Sequence, residues 1–224
     1  MKNKKFKATV FGIGGGGQNI INYIYSNSDN LKKINFVSIN TDEQMLLKSK
    51  TKKFLLDDKT TKSNLKNFFI KVFGKFLIKK VPLALGSGGD ITNAILRTKR
   101  YKDIIEKEIK KSDIIFLVAC LGGGTGTGTS TVIAEYAKKL NKKVFCIVTK
   151  PFIFEGERRM AVAISGINQL EKYADKVFTI ENEKLLENKN TDINTPLSKA
   201  FNEMNQEIKN IVLNIFQDFS QKES

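Results

Sequence analysis

The stretch Gly122-Gly123-Gly124-Thr125-Gly126-Thr127-Gly128 follows an apolar run at 114–121 and precedes a segment of helical periodicity at 130–140. Five glycines in seven residues lose too much chain entropy for a mere turn. A helix opening after such a stretch aims its unpaired N–H groups at whatever the stretch encloses, and glycine lets that group approach the main chain closely. The Thr125 and Thr127 hydroxyls can donate to phosphate oxygens or to metal-bound water. This is the pattern of a phosphate cradle.

A second such stretch lies upstream. The apolar run Ala8–Ile13 leads through Gly12-Ile13-Gly14-Gly15-Gly16-Gly17-Gln18-Asn19 into a helical segment at 18–25. Gly12, Gly14 and Gly17 satisfy GxGxxG, and Asp42 lies at about the spacing of a ribose contact. That pattern fits a dinucleotide-dependent oxidoreductase, but such a fold needs one cradle, and this chain has two. A P-loop is excluded because no GK[ST] follows a glycine run.

Further apolar runs at 34–39, 144–149 and 177–180 read as strands, and 92–111, 157–172 and 196–219 as helices. Near-continuous apolar strands alternating with helices indicate an α/β fold: a parallel, Rossmann-like sheet covered on both faces, three layers in all, followed by a long core helix. Ligands of such sheets sit at the carboxyl ends of the strands. Residues 1–195 read as the binding domain, 196–219 as the long helix and 220–224 as a tail. The Asn/Asp-rich stretch 186–195 reads as a surface loop.

The composition of the 224 residues is that of a globular protein, with 41% hydrophobic and 27% charged residues. Lys plus Arg number 38 against 23 Asp plus Glu, giving +15 and pointing to anionic partners. There is no histidine, which excludes Ser-His-Asp and Cys-His catalysis, His-ligated zinc or haem, and any imidazole acid or base. Cys120 and Cys146 each lie in an apolar run and read as reduced core thiols of a cytosolic protein. No apolar run approaches the length of a membrane span. The basic start followed by a short apolar run reads as a first strand, not a signal peptide.

GGGTGTG is similar to the signature of the tubulin/FtsZ superfamily, and the chain resembles bacterial FtsZ throughout. The matching stretches run in the family's order: Gly14–Asn19, Asn40-Thr41-Asp42-Glu43-Gln44, Leu85-Gly86-Ser87-Gly88, Gly122–Gly128, Val148-Thr149-Lys150-Pro151-Phe152-Ile153-Phe154-Glu155-Gly156 and Arg159-Met160. The resemblance implies a guanine-nucleotide-binding protein of the cell division apparatus. Gly14, Gly15, Gly16, Gly17 and Gln18, with Gly122, Gly123, Gly124, Thr125, Gly126 and Thr127, would wrap the phosphates of GTP or GDP. Asn40, Thr41 and Asp42 would sit near the γ-phosphate and its Mg²⁺, which is held through the nucleotide. Glu155 would take a ribose hydroxyl, with Arg159 beside ribose and phosphates; by spacing alone these two are an exposed ion pair one helical turn apart. Asn182 and Asn205 would contact guanine. Phe201 would stack on the base, although periodicity also places it in an apolar stripe with Leu197, Ile208, Ile211, Val212 and Ile215. The implied partners are full-length FtsZ or a second copy, through the nucleotide face, and the implied location is the cytoplasm, at the division site or inner membrane surface.

Three departures from the family stand out. Residues 84–90, ALGSGGD, differ at both ends from the family's GLGAGAN, and Asp90 puts a carboxylate where a γ-phosphate sensor has an amide. Residues 52–83 exceed the family's link by roughly 15–20 residues. Within them Leu65, Phe68, Phe69, Val72, Phe73 and Phe76 share one helical face, and Lys59–Lys80 holds seven lysines and no acid, +7 of the total +15. This segment reads either as an extra helix with solvated lysines or as a basic amphipathic helix for an anionic membrane surface or acidic partner. Its unbroken Phe face suits a groove or bilayer better than nucleic-acid base stacking. Finally, the family's NxDxxD loop, which hydrolyses GTP in the next subunit, does not occur; Asn214-Ile215-Phe216-Gln217-Asp218 lacks the spacing. The expectation is a binding half without its own catalytic residues, a GTPase only when a partner supplies that loop. The alternative is a nucleotide-regulated, non-catalytic scaffold or modulator of FtsZ filaments.

Overall fold

The computed structural model of the chain describes residues 6–28, 33–57, 88–183 and 197–221. The inserted segment Lys59–Lys80, residues 84–87 and the stretch 186–195 lie outside them.

Six strands in the described residues, β1 (Ala8–Ile13), β2 (Ile34–Asn40), β3 (Lys52–Leu55), β4 (Ile114–Cys120), β5 (Lys143–Lys150) and β6 (Lys176–Glu181), form one sheet in the order β3-β2-β1-β4-β5-β6. Every neighbouring pair is parallel. The helices are α1 (Gly14–Ser26), α2 (Glu43–Leu47), α3 (Ile91–Arg100), α4 (Lys102–Ile109), α5 (Gly124–Lys139), α6 (Glu157–Leu170) and α7 (Leu197–Gln221).

Alternate residues of each central strand feed two cores. On one face Val10, Ile114, Phe116, Val118 and Ile147 pack with Ile20, Ile21 and Ile24 of α1 and with Ala200, Met204, Ile208 and Val212 of α7. On the other, Phe11, Ile13, Ile115, Leu117, Ala119 and Val148 pack with Ile105 and Ile109 of α4, Val132 and Ile133 of α5 and Ala163 and Leu170 of α6. The centre of the sheet is thus dry on both sides, and its ligand edge is the carboxyl end at the switch between β1 and β4.

Both glycine stretches are largely helix, not loop. α1 begins at Gly14 and α5 at Gly124, four and six residues before the starts expected from periodicity, because glycine disfavours helix and hides its first turn from a propensity reading. Packing explains several of the glycines. A Cβ on Gly17 would lie 2.2 Å from the Val118 carbonyl oxygen, one on Gly126 2.2 Å from that of Cys120, and one on Gly12 2.5 Å from Ile21. Each helix start rests directly on strand backbone.

Other boundaries also differ. The segment 92–111 breaks at Tyr101, whose hydroxyl donates to Asp57 and whose ring meets Phe54 edge-on at 5.6 Å. Strand β3, Lys-Lys-Phe-Leu, has no apolar alternation because its two lysines are exposed on the sheet's edge. α2, a little over one turn, is held by its Asp42 cap. α7 runs through Gln221, into the expected tail.

At the amino ends of the strands, Glu108 accepts from Asn35 Nδ2 at 2.7 Å, Lys52 Nζ at 2.5 Å and Lys111 Nζ at 2.8 Å. Burial pushes its carboxyl up, but the bonds from Lys111, Lys52 and Asn35 outweigh this and hold it below the usual range. Glu108→Gln should therefore lower stability by about 1–3 kcal/mol at neutral pH. Because the folded pKa is depressed, this contribution is complete above the unfolded-state pKa and disappears as pH falls through the folded value. Urea unfolding of both proteins should show the gap closing in acid; a constant gap contradicts the assignment. In the same assay Gly17→Ala should lose roughly 1–3 kcal/mol, overpacking outweighing the ~1 kcal/mol gain in helix propensity. Gly123→Ala, whose Cβ meets nothing within 4 Å, should stay within about 0.5 kcal/mol of the parent. A Gly17→Ala chain as stable as the parent would mean that α1 does not rest on β4.

Candidate functional site

β1 and β4 are neighbours in register, Ile13 opposite Ala119, so the turns that follow them meet. A Cβ on Gly14 would lie 3.3 Å from the Gly126 amide nitrogen. Gly14 itself has φ +70, a left-handed conformation that glycine adopts without strain. Above these turns opens a cleft of about 530 Å³. The first turns of α1 and α5 both face it, so N–H groups without helical partners and the positive ends of two helix dipoles converge on one volume.

Of the residues singled out from sequence, Gly14, Gly15, Gly16, Asn40, Asp42, Gly123, Gly124, Thr125, Gly126, Glu155, Arg159 and Asn182 line this cleft, as does Thr41. The others do not. Gly17 is packed on Val118. Gln18 is buried and donates from Nε2 to the Met45 carbonyl at 2.6 Å, tying α1 to α2. Thr127 is buried and accepts from the Gly122 N–H at 3.1 Å, closing the turn before α5. Phe201 is 36% exposed and stands edge-on to Phe152, ring centres 6.0 Å apart. Asn205 is half-buried on α7. The buried stripe of α7 is Ala200, Met204, Ile208 and Val212, with Phe201 beside it.

The wall at the end of β2 is braced from within. Asn40 Oδ1 accepts from the Asp42 N–H at 3.1 Å, and Asp42 Oδ1 accepts from the Gln44 and Met45 N–H groups at 2.8 and 3.1 Å. Thr41 and Thr125 share a hydroxyl bond of 2.7 Å that joins this wall to α5. Asn40 is 3% and Asn182 7% exposed, yet Asn40 Nδ2 and Asn182 Oδ1 have no partner. Buried polar atoms are rarely left so, and a ligand that both accepts and donates would satisfy them.

The opposite wall carries charge. Arg159 donates to Glu155, and Glu155 Oε1 also accepts from the Phe152 N–H at 3.0 Å. Lys150, whose Nζ lies 3.2 Å from Glu181, lines the cleft as well. Lys150, with Thr149 and Pro151, lies in the matching stretch 148–156 but was given no site role from sequence. The signal was available, since whatever follows a strand of a parallel sheet lies at this edge. Cys120 also lines the cleft, unlike Cys146, which is wholly buried as expected of a core thiol. Of the third loop, Gly88 and Gly89 reach the cleft, whereas Asp90 Oδ1 caps α3 by accepting from the Thr92 and Asn93 N–H groups at 2.7 and 3.2 Å. The arrangement suits a ligand with a polyanionic part over the two helix starts and a hydrogen-bonding end near Asn182.

Residues 7–190 match the family described as Tubulin/FtsZ family, GTPase domain. The chain is 38% identical over 178 residues to the cell division protein FtsZ of Coxiella burnetii, covering 79% of this chain and 40% of that protein. It is 33% identical over 212 residues to cell division protein FtsZ 1 of Methanocaldococcus jannaschii, covering 95% and 51% respectively. A solved FtsZ dimer from M. jannaschii superposes with a TM-score of 0.75 at 32% identity, over 96% of this chain and 56% of that one. The chain spans about half the length of the curated relatives it matches. Two glycine-rich helix starts joined over one cleft, on a sheet of this order, are thus found in a chain that belongs to the tubulin/FtsZ family and carries its GTPase domain.

Proposed function

We propose that the chain binds GTP and GDP in the cleft, with the phosphates over the first turns of α1 and α5 and the base toward Asn182. The observation that carries this reading is the meeting of two glycine-rich helix starts beside two buried amides that each keep an unpartnered atom, Asn40 Nδ2 and Asn182 Oδ1. Gly14, Gly15, Gly16, Gly123, Gly124, Thr125 and Gly126 supply main-chain donors to the phosphates, while Gly17, Gln18, Gly122 and Thr127 hold those turns in place. Glu155 and Arg159 exchange their mutual bond for the ribose and phosphates. Asn182 Oδ1 accepts from the adjacent N1 and N2 donors of guanine. Phe201 and Asn205 complete the base site from α7. Mg²⁺ fits the site as a nucleotide-held ion, with the Asp42 carboxylate and the Thr41 and Thr125 hydroxyls beside the terminal phosphates. It would neutralise charge on the phosphates.

Hydrolysis also needs an oriented water and a group to take its proton. Among the described residues, the two carboxylates that line the cleft already serve other groups, Asp42 as the cap of α2 and Glu155 as partner of Arg159. Hydrolysis is therefore assigned to an acidic loop supplied across the nucleotide face by another subunit, full-length FtsZ or a longer relative. Residues 1–195 form the binding unit and α7 its link. This assigns the chain to the division apparatus, in the cytoplasm at the division site.

A second role, as a membrane-associated modulator of filaments, rests on the seven lysines and continuous Phe face of Lys59–Lys80. Liposome co-sedimentation should show binding to anionic but not neutral vesicles, lost in Phe69→Glu; equal binding to both vesicle types contradicts it. For the principal reading, equilibrium binding of GTP, GDP and ATP should be measured with phosphate release from the same sample. GTP and GDP should bind and ATP should bind far more weakly, with negligible release until FtsZ carrying its acidic loop is added. Equal affinity for ATP, or no nucleotide binding, overturns the reading.

A further inference from the structure

Cys120 ends β4 where the chain turns toward α5. The residue sits between the two helix starts, its side chain toward α1 and its backbone toward α5: a Cβ on Gly16 would lie 2.3 Å from its Sγ, and one on Gly126 2.2 Å from its carbonyl oxygen. It is nevertheless half-buried and lines the cleft. Its sulfur lies against α1 and beside Thr149, and the residue lines the open cleft. Cys146 is enclosed in the core, its thiol pushed up to about 12 by burial. The same cleft is lined by Asn40, 3% exposed and with an unpartnered Nδ2, which marks it as a ligand volume independently of the cysteine.

We propose that Cys120 is a modification site for an anionic low-molecular-weight disulfide, and that its adduct and a phosphate-bearing ligand exclude one another. The unpaired N–H groups of α1 and α5, with Lys150 and Arg159 on the facing wall, favour a reagent that carries carboxylates. In the exchange the Cys120 thiolate attacks one sulfur of the reagent. A protein–reagent disulfide forms as the reagent's own S–S bond breaks, and the departing thiolate takes up the proton that Cys120 gave up. One thiol and one disulfide are consumed and one of each is produced; excess free thiol reverses the step. The adduct has no room on the Gly16 side, so it extends over the phosphate cradle. Burial holds the thiol above its ordinary range, so the exchange is slow beside that of a surface cysteine. This inference rests on the nucleotide reading of the cleft.

The test treats the intact chain with oxidised glutathione, with and without GTP, and follows intact mass and peptide maps. A single glutathionyl increment should appear on Cys120 and none on Cys146. GTP at about 100 times its Kd should slow the increment about 100-fold by mass action. The modified chain should lose GTP binding and regain it with dithiothreitol, and Cys120→Ser should show neither the increment nor the glutathione-dependent loss. Failure of the native chain to react while the denatured chain does overturns the proposal. So does an adduct that binds GTP as tightly as the free thiol. GTP binding to the untreated chain is measured separately: GTP that binds without protecting Cys120 overturns this inference and leaves the nucleotide reading standing, whereas absence of GTP binding removes both.

Discussion

Two helices start on adjacent parallel strands, and each rests its first turn on strand backbone. β1 and β4 pair in register, so the donors freed at the starts of α1 and α5 arrive at one place. That convergence requires approaches such as Gly17 on the Val118 carbonyl and Gly126 on the Cys120 carbonyl, which leave no space for a side chain. The packing that fixes the helices on the sheet and the geometry that gathers main-chain donors over the cleft are therefore one interaction. The apolar faces of β1, β4 and β5 hold the strands between two helix layers, and so set the height at which both helices begin.

Around this centre stands a ring of residues that touch each other as much as any ligand. Thr41 joins Thr125, Asp42 caps α2, Gln18 reaches Met45 and Thr127 holds Gly122. Main-chain donors stabilise an anion without reorganisation only if the turns that carry them are fixed in advance. These bonds fix them from three elements at once. Asn40 and Asn182 are among the exceptions, each lining the cleft with a buried polar atom left unpartnered. They are where the protein's hydrogen bonding is incomplete without a ligand.

The five strands with strong apolar runs were legible from sequence because the two-sided burial of a parallel sheet needs uninterrupted hydrophobic residues, as in Ile114–Cys120. β3 was not, since an edge strand can expose Lys52 and Lys53. The glycine stretches marked the site but misled about its form. Glycine's low helix propensity suggested loops, whereas contact of Gly17 and Gly126 with strand backbone holds the glycine-rich first turns of Gly14–Ser26 and Gly124–Lys139 in helix. Asp90 looked like a carboxylate set against phosphate charge, but local hydrogen bonding makes it the cap of α3. Cys120 carried no motif, and Lys150, inside the matching stretch 148–156, carried no role; the topology brings both to the cleft.

The account stands on main-chain donors at both helix starts holding a single polyphosphate. Its most direct test is an amide-resolved NMR titration of the ¹⁵N-labelled chain with GTP and, separately, with pyrophosphate. The account predicts that the amides of Gly14, Gly15 and Gly16 and those of Gly124, Thr125 and Gly126 shift together, along one saturation curve, with both ligands, and that Asn182 responds to GTP only. Shifts confined to one helix start, or separate curves for the two, would contradict it.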